Sequence, residues 1–165
     1  MNAPNLTIRD ATPADHAAVL ALNNSHTPHV NALTEEEFAW LVAHAGYFRV
    51  AADAGGIAGF VLCLPAGTEY WSGNYRWFTE RYTDFLYLDR VVVSPGVRRG
   101  GVGRALYDDV HTTAAGRWLR IVLEVNLRPP NPVSTAFHEA MRYRAVGVRE
   151  YDEGQKAVQM YEREI

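Results

Sequence analysis

Apolar and polar positions along the chain alternate in some stretches and recur at helical spacing in others. Leu6-Thr7-Ile8-Arg9 alternates, as a half-buried strand does. Thr12-Pro13-Ala14-Asp15 then supplies an N-cap, a proline at the first helical position and an acid in the first turn. The predicted helix carries Ala17, Val19, Leu20 and Leu22 and ends near Asn23-Asn24-Ser25. Thr34-Glu35-Glu36-Glu37 is a capping box for a second helix, with Phe38, Leu41 and Val42 on its apolar side and Gly46 as its stop. Tyr47 to Ala52 and Ile57 to Leu64 are β-rich runs around Asp53-Ala54-Gly55-Gly56, which predicts a hairpin.

From Pro65 to Tyr82 the periodicity fades while Tyr70, Trp71, Tyr75, Trp77, Phe78 and Tyr82 accumulate. An irregular stretch of that length in a compact domain is expected to serve function. Phe85 to Val93 reads as a strand, Ser94-Pro95-Gly96 stops it, and Val102 to Ala115 has helical spacing. Leu119 to Val125 is a further strand. Arg128-Pro129-Pro130-Asn131-Pro132 breaks the chain before a short helix over Ser134 to Met141. Arg144 to Tyr151 and Ala157 to Arg163 form a closing hairpin around Asp152-Glu153-Gly154. The order β-α-α-β-β-β-α-β-α-β-β predicts an α/β (α+β) fold, a mixed sheet with helices on its faces, in one domain over residues 1–165.

Composition narrows the class. The chain is 48% apolar and 21% charged, which fits a soluble globular protein. A net charge of −3 gives no global attraction to nucleic acid or an anionic membrane. One cysteine excludes an internal disulfide framework. No apolar run approaches the roughly 20 residues of a membrane span, and Met1-Asn2-Ala3-Pro4 begins no signal peptide, so the expected location is cytoplasmic.

The candidate chemistry centres on Asp89 to Leu106, which reads strand, glycine-rich turn, helix. Such a turn offers backbone N–H groups and a positive helix end to phosphate. A Walker A loop would end Gly-Lys-Ser/Thr, but Gly103 precedes Arg104-Ala105. A dinucleotide fingerprint needs a third glycine where Leu106 stands. What remains is Arg98-x-x-Gly101-x-Gly103, preceded by Val93-x-Pro95. It resembles the acyl-CoA pyrophosphate loop of the GCN5-related N-acetyltransferase (GNAT) superfamily. The later Asn131-x-x-Ser134-x-x-Phe137-His138 and Met141-Arg142-Tyr143 keep that superfamily's second spacing.

The resemblance implies a central, mostly antiparallel sheet, splayed between the fourth and fifth strands and flanked by about four helices. It implies acetyl-CoA as co-substrate, held by Val91, Val93, Arg98, Arg99, Gly100, Gly101, Val102, Gly103, Arg104, Asn131 and Ser134. Direct acetyl transfer to the primary amine of a small molecule or peptide N-terminus follows, with Val91 N–H as oxyanion donor and homodimerisation as a family habit. An amine must lose a proton before it attacks. Glu124, inside an otherwise apolar strand, is the first candidate base, and Asp89 the second; the alternative for Glu124 is an ion pair with Arg90 or Arg120. His138 stands where the superfamily usually has a tyrosine acid, and either donates a proton to the leaving thiolate or packs and bonds a carbonyl. Arg142 takes a usual glycine position, at a cost of about 1 kcal/mol if left-handed.

The family pattern walls the acceptor with Asn23-Asn24-Ser25-His26 and the aromatic insert, making Asn23, Asn24, Trp71, Tyr75 and Trp77 substrate candidates. His26-Thr27-Pro28-His29 lacks supporting ligands, so no metal is expected, and Cys63 reads as a small buried hydrophobe. Two rivals remain. A non-catalytic acyl-CoA-binding sensor or regulatory module would need neither base nor acid. A nucleic-acid-binding domain would use Arg98, Arg99 and Arg104, against the acidic total.

Overall fold

The computed structural model describes residues 5–97 and 100–165. Among these residues seven strands and five helices follow in the order β1 (Thr7–Asp10), α1 (His16–Asn24), α2 (Glu35–His44), β2 (Tyr47–Asp53), β3 (Gly56–Pro65), α3 (Gly73–Thr79), β4 (Leu86–Val93), α4 (Val102–Ala114), β5 (Arg120–Arg128), α5 (Pro132–Ala140), β6 (Arg144–Tyr151) and β7 (Lys156–Glu164). The strands form one mixed sheet in the order β1-β2-β3-β4-β5-β7-β6. Strands β4 and β5 run parallel, with Leu86 opposite Ile121 and Tyr87 opposite Val122. The pairs β1–β2, β2–β3, β5–β7 and β6–β7 are antiparallel.

Local chemistry accounts for the boundaries. Thr34 and Glu37 close the capping box of α2 from both sides, at 3.1 and 2.9 Å. Helix α5 ends in a Schellman pair, Tyr143 N–H to the His138 carbonyl and Arg142 N–H to that of Glu139, with Arg142 at φ 66°. Helix α3 lies in the stretch expected to be irregular. It is seven residues long and starts from a Ser72 side-chain cap. Only Tyr75 and Phe78 of α3 are buried, too short a stripe for periodicity to register.

The chain's contacts gather into two compact units. One contains the residues up to Leu64 together with Leu88–Thr113. Its core includes Val19, Leu41, Val50, Phe60 and Leu62, with Leu106 and Val110 of α4, all at zero exposure. The other contains Pro65–Tyr87 and Ala114–Ile165. Phe78, Phe85, Tyr87, Ile121, Val122 and Met160 fill it, with the Tyr75 ring 5.5 Å from Phe85 and 5.3 Å from Tyr87.

Candidate active site

In the first unit, Val91 and Val93 of β4 are half-buried. Arg98 and Arg99 lie outside the described residues. Gly101 has φ 79°, a conformation open to glycine and costly to a side chain, and a Cβ there would meet nothing within 4 Å. The first intrahelical bond runs from Ala105 N–H to the Gly101 carbonyl at 2.9 Å, so the N–H groups of Val102, Gly103 and Arg104 stand ahead of it at the positive end of α4. A Cβ on Gly103 would touch only the Val93 Cγ2, at 3.8 Å. Neither φ nor crowding inside the fold demands glycine at 103. The loop therefore fits a diphosphate approaching its backbone. Gly100 N–H bonds the Val97 carbonyl at 3.2 Å, and exposed Arg104 stands 4.0 Å from Asp108.

Asp89 and Arg90 sit side by side on β4, both nearly buried, with Arg90 Nε donating to Asp89 at 2.8 Å. The same guanidinium donates to Asn23 Oδ1 at 3.0 Å and to the Asn31 carbonyl at 3.2 Å. Asn23 is fully buried and donates to Asn31 O and Asn24 Oδ1. Asn24 exchanges two bonds with the Leu33 main chain, at 2.9 and 3.0 Å. Both amides thus hold the loop between α1 and α2. Burial and nearby Asp89 push the Cys63 thiol up, so it stays protonated.

In the second unit, Glu124 on β5 is held by two neutral donors. Tyr87 OH donates to its Oε1 at 2.9 Å and Asn74 Nδ2 to the same oxygen at 3.0 Å. The two partners come from β4 and α3. Arg120 stands 3.4 Å from Glu162, which also pairs with Arg144. His138 is buried in the last turn of α5, between the rings of Tyr143 and Tyr161. Its Nδ1 donates to the Ser134 carbonyl at 2.7 Å, and burial holds its pKa below the ordinary value. A neutral imidazole with its proton on Nδ1 has none on Nε2 to give. Asn131 Oδ1 caps α5 by accepting from Ser134 N–H at 3.2 Å.

The aromatic candidates separate by burial. Tyr75 is core, its hydroxyl donating to the Pro65 carbonyl and accepting from Thr68 N–H. Trp77 lies against Gly147 and under the Arg81 guanidinium, 3.6 Å from its ring. Trp71 is 51% exposed, its ring 4.7 Å from Tyr70. Sequence reasoning missed Tyr87 and Asn74. Tyr87 could have been found as the one polar-tipped side chain in Phe85-Leu86-Tyr87-Leu88; Asn74 gave no signal because its helix gave none.

A mixed sheet with a glycine-rich turn opening α4 fits a protein that takes an acyl-CoA diphosphate. The chain belongs to the acetyltransferase (GNAT) family, whose model matches residues 16–143. It is an acetyl-CoA-dependent acyltransferase. Solved structures share the fold. The ribosomal-protein alanine N-acetyltransferase of Escherichia coli is 18% identical, with TM-score 0.72 over 97% of this chain and 94% of that one. Ard1 of Thermoplasma volcanium is 20% identical, at TM-score 0.73 over 97% of each. NAA60 of Arabidopsis thaliana, solved with acetyl-CoA, is 16% identical, at TM-score 0.73 over 98% of this chain and 99% of that one. No curated protein matches the chain by sequence. Among the described residues no helix is long and apolar enough to cross a membrane, and no three His, Cys, Asp or Glu side chains group as metal ligands.

Proposed function

We propose that this enzyme acetylates the primary amine of a small molecule or a peptide N-terminus, with Glu124 as the base. The observation that carries the reading is a carboxylate in the β5 strand with Tyr87 and Asn74 both donating to one of its oxygens. Two donors on the ionised form keep it an acceptor and fix its plane. Acetyl-CoA supplies a thioester whose carbonyl carbon takes the amine nitrogen as the C–S bond breaks and CoA leaves as thiolate. Gly100, Gly101, Val102, Gly103 and Arg104 hold the diphosphate with Arg98 and Arg99, while Val91 and Val93 offer main-chain groups to the pantetheine arm. Val91 N–H steadies the developing negative oxygen.

Glu124 takes the proton of the arriving ammonium, leaving the nitrogen lone pair for attack, and the second proton that nitrogen sheds as the amide forms passes to solvent. Asp89 already bonds Arg90 and is the weaker base candidate. His138 would have to be an imidazolium to serve as acid, and its burial opposes that, so we assign it to packing α5 and leave the thiolate to solvent protons. Support for a cationic acceptor comes from half-exposed Trp71 beside Tyr70, whose ring lies 6.4 Å from Tyr87.

The test is free-thiol release from acetyl-CoA with spermidine, L-lysine, kanamycin and an alanine-initiated tetrapeptide. Turnover on at least one amine is expected, and a drop of about 100-fold to 10,000-fold in Glu124→Gln. Full turnover in that variant refutes the base; acetyl-CoA binding without thiol release on any amine refutes the acceptor class.

A further inference from the structure

Arg149 on β6 is half-buried, and its guanidinium is tightly placed. Its Nη1 donates to Asn74 Oδ1 at 2.9 Å, and the group lies over the Tyr151 ring, 4.9 Å from the centroid. On its other side stands Gly73, the first residue of α3. A Cβ there would collide with Nη2 and with the guanidinium carbon, 2.7 Å away. The glycine leaves the guanidinium its seat.

An arginine can only donate. Asn74 must therefore turn its carbonyl oxygen to Arg149, which turns its NH2 group to Glu124, where Nδ2 lies 3.0 Å from Oε1. With the amide reversed, two acceptors would face each other at Glu124 and two donors at Arg149. The chain Arg149, Asn74, Glu124 thus has one consistent direction, and a cation at its far end strengthens each bond along it.

We propose that Arg149 is a positioning residue for the reaction: it sets the orientation of the Asn74 amide and through it the geometry of the Glu124 carboxylate. The inference deepens the reading of Glu124 as base and rests on it. It assigns a second role to the aromatic insert, since α3 brings Asn74 into the relay and Gly73 admits the guanidinium.

The experiment compares Arg149→Met, Arg149→Lys, Gly73→Ala and Glu124→Gln in the full chain, with the best amine of the four above. Arg149→Met and Gly73→Ala should lower kcat about tenfold while the KM for acetyl-CoA stays within about twofold. Arg149→Lys, which still donates, should restore most of it. Unchanged kcat in Arg149→Met beside an inactive Glu124→Gln overturns the relay and leaves the base standing. Full activity in Glu124→Gln overturns both. Independently of any acceptor, the Asn74 side-chain amide signal in ¹⁵N NMR should move in Arg149→Met and return in Arg149→Lys. A signal that moves in Glu124→Gln but not in Arg149→Met also overturns the relay.

Discussion

Tyr87 lies in register with Val122 on the parallel pair β4–β5, and its hydroxyl reaches two residues further along β5 to donate to Glu124 at 2.9 Å. The ring is 1% exposed and packs against Tyr75, while the one polar atom goes to the carboxylate. Tyr87→Phe keeps the packing and removes the bond. We expect kcat to fall about tenfold, from a charge-assisted hydrogen bond worth roughly 1.5 kcal/mol, with acetyl-CoA affinity unchanged. Steady-state kinetics beside acetyl-CoA titration calorimetry decide it. An equal loss of affinity would mean that Tyr87 acts on the fold.

Gly103 separates binding from folding. A side chain there meets only Val93, so Gly103→Leu should leave the melting temperature unchanged or raised, since glycine costs about 1 kcal/mol in a helix. The same side chain would occupy the proposed approach of the diphosphate, and the KM for acetyl-CoA should rise at least about tenfold. Normal acetyl-CoA binding in this variant would remove the loop from the cofactor site.

His138 predicts a pH dependence with a definite sign. Its folded pKa lies below the ordinary 6.5, so the unfolded chain binds the proton more readily. The neutral, buried ring contributes stability that is whole above about pH 6.5 and is lost as pH falls through the lowered folded value. Urea midpoints between pH 7.5 and 5 should decline, and His138→Gln should flatten that slope while changing kcat by less than about threefold. A loss of kcat beyond about 100-fold would restore the histidine as general acid.

Arg142 ends α5 in the left-handed region and is exposed. Glycine removes the Cβ penalty but frees the unfolded chain, so Arg142→Gly should stabilise by about 1 kcal/mol net. Thermal unfolding with unchanged activity checks it. A neutral or negative result would mean that the arginine makes a compensating contact.

The order of elements was legible because each strand and long helix carries its own period and its own caps, Thr34 and Glu37 being the plainest case. The glycine turn was legible for a similar reason, since its residues are contiguous. The surroundings of Glu124 were not. Tyr87, Asn74 and Arg149 join it across 37, 50 and, from Arg149 to Asn74, 75 residues of chain, and no local pattern encodes such meetings. Helix α3 compounded this, with two buried residues among seven. Asn23 and Asn24 were expected to wall the acceptor; polarity was visible in the sequence, but the burial of Asn23 and the bonds both amides make to the 31–33 main chain were not.

The bonds at Asn24 are the donor-and-acceptor exchange of an antiparallel strand pair, made by one side chain against the Leu33 main chain. With Arg90 bonded to Asn23 and to the Asn31 carbonyl beside it, the 23–33 segment is tied at both ends before any amine arrives. A wall ordered in advance adds little entropic cost on binding and yields little to a poor fit. With the 23–33 segment as the proposed acceptor wall, an acceptor would be chosen by its shape, and the enzyme is expected to be a narrow catalyst rather than an accommodating one.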